Sequence, residues 1–416
     1  MKIRKLHIKN YKVFDDLELD FTDANGNTLD KIVLAGVNGC GKTTVLEVIH
    51  NLYANTFPNQ LSAPNKSTSI EVIFEVTELE KLKIQYFFKL YKNNDNDNDN
   101  DNIDIKTAIT NFLEELKSKN YFTLVFEQNY DLPITEIIST LIFQSIQSHP
   151  SRPNLFYFPI NTLIKKEKDY IKILHLGSDK DEMKKLALKD IRDEVFKNED
   201  VTIRESKEKA IKRLQKPLNG LALNTKLVDL ASEELIFESP NGEKIKFEEL
   251  SNGEQNLYFR AIYLSMLNPQ NSIIMIDEPE DSLHPTWQQK VMQLYQNIGE
   301  NNQVIVATHS PHIIGSSKTE EVFLLEIEDN KIGAVHPRYT KGHSIDYILE
   351  EMGANPRDTS VIKLVDDYLA LMRKGLHETE KGLKLKASID ALDLDPNSEE
   401  MMRLDLSIKR FKAIGV

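Results

Sequence analysis

The sequence predicts an α/β fold in which a mixed and parallel sheet is flanked by helices. Three apolar runs, each followed by small polar or acidic residues, are typical of buried parallel strands. They are "KIVLAG" (Lys31–Gly36), "SIIMIDEPE" (Ser272–Glu280) and "QVIVATHS" (Gln303–Ser310). The first run leads into "TTVLEVIHNLY" (Thr43–Tyr53), which has helical periodicity. A strand that feeds directly into a helix is the repeating unit of an α/β sheet.

The remaining elements divide the chain into four segments. Alternating apolar residues near the start and at Ser69–Val76 predict further strands, and "NLFYFPI" (Asn154–Ile160) predicts one strand within a helix-rich middle. The predicted segments are an N-terminal part of the α/β head (1–90), a mostly helical insertion (91–246), a C-terminal part of the head (247–340) and a helical tail (341–416) expected to contact a partner or another protomer. The run "NNDNDNDNDN" (93–102) has the composition of a surface loop.

Composition and charge limit the class of protein. The 416 residues carry a net charge of −13, which argues against general DNA coating but leaves room for a local basic groove. The segment Arg204–Lys216 has an excess of basic residues, for which a solvated helix face is favoured over a nucleic-acid contact. A single cysteine, Cys40, no signal peptide and no apolar span indicate a cytoplasmic protein with no membrane contact.

"GVNGCGKT" (Gly36–Thr43) matches the phosphate-binding pattern G-x-x-x-x-G-K-[ST] and has an apolar strand before it and a helix after it. Glycines let backbone N–H groups turn toward the phosphates of ATP, and the helix N-terminus adds a positive dipole end. Lys42 is expected to reach the β- and γ-phosphates, and the Thr43 hydroxyl to bind Mg²⁺. The residues predicted to line this cradle are Asn38, Gly39, Gly41, Lys42, Thr43 and Thr44.

Two further strand ends carry residues suited to hydrolysis of a phosphate bond. Asp277 ends an apolar run and is expected to hold Mg²⁺, and Glu278 is expected to activate the attacking water. His309 follows the next apolar run. Because ligands bind at the carboxyl ends of strands in such sheets, a role in sensing the γ-phosphate or orienting the water is favoured for His309. No functional role is predicted for His312.

The turn "LSNGEQ" (Leu250–Gln255) completes a motif order that resembles the ABC class of ATPases. It is similar to the LSGGQ signature of that family, with Asn252 for the first glycine and Glu254 inserted before the glutamine. The resemblance implies an ABC-type P-loop ATPase head that forms head-to-tail dimers, in which this turn faces the γ-phosphate held by the other protomer. The residues implied to bind nucleotide from this turn are Ser251, Gly253 and Gln255.

"DEPEDSLHPTWQ" (Asp277–Gln288) looks like the RecF, SMC and OLD branch of the class. The opening "IKNYKVFDD" resembles the first hairpin of this branch, which implies that Lys12 lies near the nucleotide. The branch also has a glutamine loop, for which Gln128, Gln144 and Gln147 remain open alternatives.

"TKGHSIDYILEEMGANPRD" (Thr340–Asp358) resembles stand-alone OLD-like ATPases of bacterial defence operons. No Toprim or HNH constellation is recognised in the sequence. The resemblance therefore implies the ATPase subunit of a two-component anti-phage system with a separate nuclease. The Septu type, paired with an HNH nuclease, comes first, and the PARIS type, paired with a Toprim nuclease, second.

Two other functions remain open from the sequence. One is a RecF-like ATPase of DNA repair or recombination, which would contact DNA through residues such as Lys209, Lys212 and Arg213. The other is a scaffold that binds nucleotide, hydrolyses little of it and organises an oligomer.

Overall fold

A computed structural model describes residues 1–54, 68–94, 100–127, 138–139, 141–143, 155–158, 171–173, 176–197, 202–231, 234–354, 359–392, 394–396 and 398–414. The chain divides into two compact units, Met1–Met352 and Gly353–Val416. The second unit begins later than the tail predicted at 341, because the helix after position 344 belongs to the larger unit.

The larger unit is built on a seven-stranded sheet with the order β14-β13-β3-β12-β11-β6-β7. Its strands are β3 (Lys31–Gly36), β6 (Leu155–Phe158), β7 (Ile171–Ile173), β11 (Ile273–Asp277), β12 (Gln303–Ala307), β13 (Val322–Glu328) and β14 (Lys331–Val335). Neighbouring strands are parallel except for the antiparallel pair β13–β14. The predicted α/β class with a mixed and parallel sheet is confirmed.

Two antiparallel sheets accompany the central sheet. The first has the order β2-β1-β4-β5 and the second the order β10-β9-β8. Their strands are β1 (Lys2–Tyr11), β2 (Phe14–Asp20), β4 (Ser69–Glu75), β5 (Tyr121–Glu127), β8 (Lys226–Ala231), β9 (Glu234–Glu238) and β10 (Lys244–Lys246). Six strands, β5 to β10, thus lie in the range 91–246 that is predicted to be mostly helical. β6 is the strand predicted from "NLFYFPI", whereas β7 and β10 have three residues each, too few for a strand period to be visible in the sequence.

Helices cover the sheets of the larger unit and form the smaller one. In the larger unit, the helices whose bounds are described are α1 (Lys42–Ala54), α2 (Glu78–Asn94), α3 (Asn100–Ser118), α4 (Leu176–Lys197), α5 (Ile203–Gln215), α6 (Asn252–Leu267), α7 (Pro285–Gln288), α8 (Val291–Gln296), α9 (Pro311–Ser316) and α10 (Ile345–Glu351). The smaller unit contains α11 (Thr359–Arg373), α12 (Glu380–Asp390) and α13 (Glu399–Ile414). The predicted surface loop 93–102 is corrected at both ends, since α2 ends at Asn94 and α3 begins at Asn100; positions 95–99 lie outside the described residues.

The central strands bury side chains on both faces of the sheet. On β3, Leu34 belongs to the core shared with the first antiparallel sheet, whereas Val33 and Ala35 belong to the core on the opposite side. β11 and β12 alternate in the same way, and every residue of β3, β11 and β12 is buried. Burying each Ile or Val side chain contributes about 1.5–3 kcal/mol to stability, so these strands form a stable base for the residues at their ends.

Gln303, the first residue of β12, joins the central sheet to the first antiparallel sheet. Its side chain is fully buried; Oε1 accepts from Ile3 N at 2.7 Å, and Nε2 donates to the carbonyl oxygens of Ile3 at 2.8 Å and Leu29 at 3.0 Å. One amide therefore makes three buried hydrogen bonds, two to strand β1 and one to the segment before β3.

Gln303→Leu is expected to lower the free energy of unfolding by about 3 kcal/mol, because it leaves buried backbone groups without partners. Urea denaturation followed by circular dichroism measures the change. Gln296→Leu, at an exposed position at the end of α8, is the matched control. Equal midpoints for the two variants would contradict the assigned role of Gln303.

Candidate functional site

The phosphate loop lies between the end of β3 and the start of α1. Gly39 and Gly41 have φ of +82° and +93°, a left-handed region that glycine adopts without strain. A Cβ atom on Gly41 would lie 2.5 Å from Phe14 Cζ, so the β1–β2 turn packs directly on the loop. In the same turn, Lys12 donates to Glu47 of α1. The turn of the first hairpin therefore lies against the loop and its helix.

Lys42 points into the loop and is almost fully buried. Its Nζ donates to the carbonyl oxygens of Gly36 and Val37, both at 3.0 Å. Burial lowers the pKa of Lys42, and the nearby Cys40 opposes this shift. Phosphate oxygens that enter the loop can replace these carbonyls as acceptors.

The start of α1 meets the end of β11 through Thr43 and Asp277. The Thr43 hydroxyl donates to Asp277 Oδ2 at 2.9 Å and lies 3.2 Å from Oδ1. Burial raises the pKa of Asp277 to about 6, and the negative charge of Glu278 adds to this, while the bond from Thr43 and the charge of Lys42 oppose it. A cation placed beside this pair would stabilise the carboxylate.

Glu278 and His309 face each other at the ends of adjacent strands. Their Oε1 and Nε2 atoms are 3.6 Å apart, and both side chains are partly exposed. Burial, followed by the charges of Glu280 and Asp281, raises the pKa of Glu278. Burial, followed by the charge of Lys42, lowers the pKa of His309. Both shifts favour the neutral forms, so neither charge is strongly stabilised before substrate binds.

The backbone of Glu278 has a φ of +46°, which is rare outside glycine. Its N–H donates to the carbonyl oxygen of Ala307 at 2.8 Å. The chain thus turns sharply at the end of β11 and brings the Glu278 side chain toward His309.

The LSNGEQ turn begins α6, with Ser251 as its N-cap. The Ser251 hydroxyl accepts from Glu254 N at 3.3 Å and donates to Glu254 Oε2 at 2.9 Å. Glu254 is buried, and its Oε1 accepts from the Thr225 hydroxyl at 2.8 Å. A Cβ on Gly253 would lie 2.5 Å from the carbonyl oxygen of Ser282, so the turn packs on the "DSLHP" loop.

Gln255 supports this turn from within. Its Nε2 donates to the carbonyl oxygens of Leu250 at 2.9 Å and Glu248 at 3.3 Å. Nucleotide binding by Gln255 stays a prediction, and in the described protomer its amide group holds the turn.

The structure brings five of the predicted residues together at the carboxyl ends of β3, β12 and β11, which are adjacent strands. These residues are Lys42, Thr43, Asp277, Glu278 and His309. Asn38 and Gly39 are exposed in the loop, and Thr44 is partly buried in α1. Ser251 and Gly253 contact Glu254 and Ser282. The glutamine-loop candidates Gln128, Gln144 and Gln147 lie outside the described residues.

Sequence reasoning missed two residues that hold the turn after β11. Glu280 Oε1 accepts from Thr308 Oγ1 at 2.7 Å and His309 N at 2.6 Å. Arg260 Nη1 of α6 donates to the carbonyl oxygen of Pro279 at 3.2 Å and to the Tyr295 hydroxyl at 3.1 Å. The second glutamate of "EPE" (Glu280) was the only sign of these contacts in the sequence. Which residues it bonds to depends on which strands are neighbours in the sheet.

The basic segment that is predicted from the sequence lies on α5 and the turn after it. Arg204 pairs with Glu208 and Lys207 with Asp229, both at 3.2 Å. These ion pairs are what a solvated helix face would make. None of the described helices combines the length and the hydrophobicity that a membrane span requires.

A protein-family model matches residues 31–315, more than half of the chain; its description is "AAA domain, putative AbiEii toxin, Type IV TA system". The chain belongs to this family. It is an ATPase, as the sequence predicts, and the matched range includes the phosphate loop, the signature turn and the ends of β11 and β12.

Two curated relatives of this AAA-domain ATPase carry names from defence systems. "Retron Ec83 probable ATPase" of Escherichia coli is 23% identical over 486 aligned positions, with 99% of this chain and 87% of the relative covered. "Septu protein PtuA" of Bacillus thuringiensis is 27% identical over 202 positions, with 43% of this chain and 49% of the relative covered. The predicted resemblance to stand-alone defence ATPases is confirmed.

Among solved structures, an SMC head bound to the C-terminal winged-helix domain of ScpA aligns with a TM-score of 0.48 at 13% identity. The alignment covers 80% of this chain and 97% of the SMC head.

Proposed function

We propose that this ATPase binds ATP and Mg²⁺, dimerises around the nucleotide and regulates a separate effector nuclease in bacterial anti-phage defence. The observation that carries the proposal is the contact of Thr43 with Asp277 at 2.9 Å, with Lys42 and the Glu278–His309 pair close by. These are the groups that a phosphate bond needs for binding and hydrolysis.

The donor set of this junction fits Mg²⁺, since hydroxyl and carboxylate oxygens are ligands that this ion prefers. Thr43 and Asp277 would hold it. When bound, Mg²⁺ neutralises charge on the phosphates. The backbone N–H groups of the loop and the Lys42 ammonium group bind the β- and γ-phosphates.

Hydrolysis needs a base and an orienting group beside the γ-phosphate. Glu278 accepts a proton from water while the water oxygen bonds to the γ-phosphorus. The bond from phosphorus to the bridging oxygen then breaks, and ADP and inorganic phosphate are released. His309, 3.6 Å from Glu278, orients the water or the γ-phosphate.

Ser251 and Gly253 complete the site from the other protomer in this proposal. Ser251 is exposed and starts a helix of 16 residues, whose N-terminus favours a negative charge. The Gly253 position is tightly packed beneath Ser282, so the turn is held firmly enough to present its hydroxyl group to a nucleotide.

The names of the relatives support the defence part of the proposal, and the separate nuclease rests on the resemblance to two-component defence systems. The smaller unit, within the predicted tail, would contact the nuclease or another protomer, because exposed apolar side chains lie on α12 and α13. They are Leu383, Met402 and Leu406, which are 59%, 49% and 55% exposed. A nuclease reading frame is expected next to the gene, and its absence from related genomes would count against this part.

Mixing two inactive variants tests the shared site. Lys42→Ala disables the phosphate loop, and Ser251→Asp keeps a good N-cap but adds a charge that repels the γ-phosphate. Each variant alone is expected to lose hydrolysis. A mixture should regain about a quarter of the wild-type rate per protomer, since half of the dimers are mixed and each mixed dimer keeps one intact site.

Ser344→Asp, the same change at the exposed N-cap of α10 and away from the site, is the control and should retain the activity. Melting temperatures verify that the variants fold. A mixture that stays inactive while mixed dimers form would contradict the shared site.

A further inference from the structure

The side chain of Glu280 links the ends of β11 and β12. It lies three positions after the end of β11, and its Oε1 accepts from both Thr308 Oγ1 at 2.7 Å and His309 N at 2.6 Å. Both donors follow directly after β12, which ends at Ala307. One carboxylate oxygen therefore fixes the backbone from which the His309 side chain extends.

The turn that carries Glu280 is itself held firmly. The N–H of Glu278 donates to Ala307 O at 2.8 Å, and the carbonyl of Pro279 accepts from Arg260. Within the turn, Asp281 N donates to Glu278 O at 3.1 Å and Leu283 N to Glu280 O at 2.9 Å. Because the turn is bonded to Ala307 and Arg260 at its start and to itself further on, its backbone holds Glu280 in place beside His309.

The second oxygen of Glu280 shows that this arrangement has a cost. Oε2 is buried and has no hydrogen-bond partner among the described residues. A buried acceptor without a partner destabilises the folded protein, and such groups are few in native structures. The negative charge of Glu280 also repels the nearby Glu278, whose pKa it helps to raise.

We propose that Glu280 is a positioning residue that sets the distance and orientation of His309 relative to Glu278. The inference rests on the proposed function, in which these two side chains act on water and the γ-phosphate. Glu280 need not touch the nucleotide. Its loss displaces His309 and slows the chemical step, whereas ATP remains bound by the loop and Lys42.

Three variants separate positioning from general support of the fold. Glu280→Ala removes the acceptor and should lower kcat on the order of 10²-fold, since a displacement of about 1 Å has an effect of this size. Its KM and its equilibrium affinity for a fluorescent ATP analogue should stay within about threefold of wild type, because uniform binding is retained. Glu280→Gln keeps an acceptor oxygen and should restore most of kcat, and Thr308→Val should have an intermediate effect. Glu328→Gln, at an exposed position on β13, is the matched control.

A spectroscopic measurement tests the inference without hydrolysis. In histidine-labelled protein, the ring signals of His309, assigned with His309→Gln, should shift in Glu280→Ala and stay near their wild-type positions in Glu280→Gln. Unchanged signals in Glu280→Ala would overturn the inference, as would equal losses of kcat in the alanine and glutamine variants. Wild-type protein that hydrolyses no ATP would instead refute the proposed function, and the signals of His309 would still report on positioning.

Discussion

Glu278→Gln is expected to lower the rate of ATP hydrolysis by about 10²–10⁴-fold, because the amide cannot accept a proton from the attacking water. ATP binding should persist, since Lys42 and the loop are untouched. The variant should therefore accumulate as an ATP-bound dimer. Single-turnover hydrolysis and size-exclusion chromatography with light scattering, with and without ATP, measure the two effects.

The substitution preserves the size of the side chain and the backbone requirement of a φ of +46° at this position. Glu350→Gln, at an exposed position on α10, is the control and should hydrolyse ATP normally. Turnover by Glu278→Gln at the rate of the control would show that another group activates the water.

Lys42→Ala is expected to weaken ATP binding by at least about 10²-fold, which is about 2.7 kcal/mol. The ammonium group is buried and donates to two loop carbonyls, so its removal takes away a desolvated cation that phosphate would meet directly. Equilibrium titration with a fluorescent ATP analogue measures the loss.

Lys341→Ala, at an exposed position before α10, is the matched control for charge. Circular dichroism should give similar spectra for the two variants. An unchanged Kd for Lys42→Ala would rule out the loop as the ATP site.

The central sheet could be predicted because its strands have distinctive sequences. β3, β11 and β12 are continuous apolar runs, and each ends in residues with an evident chemical role. β7 and β10 have three residues each and leave no pattern of their own. Such strands form because neighbouring strands supply partners, which a single sequence does not reveal.

The candidate site likewise has one part that could be predicted from the sequence and one part that could not. Thr43 and Asp277 could be expected together, since the ends of parallel strands meet at one edge of the sheet. The bonds from Thr308 and His309 to Glu280, and from Arg260 to Pro279, depend on side-chain directions across strands far apart in the sequence. The sequence also did not indicate that the Gln255 amide bonds to the backbone of its own turn. Such local hydrogen bonds compete with those to a ligand.

The hydroxyl of Ser251 is already engaged, since it donates to a carboxylate oxygen 2.9 Å away. In the proposed dimer, the triphosphate must replace Glu254 as the acceptor of this hydrogen bond. A protomer without nucleotide offers no acceptor that could do so. Two vacant protomers would then gain little by meeting at this surface. Nucleotide binding by the other protomer, rather than a high protein concentration, would therefore decide when the dimer forms.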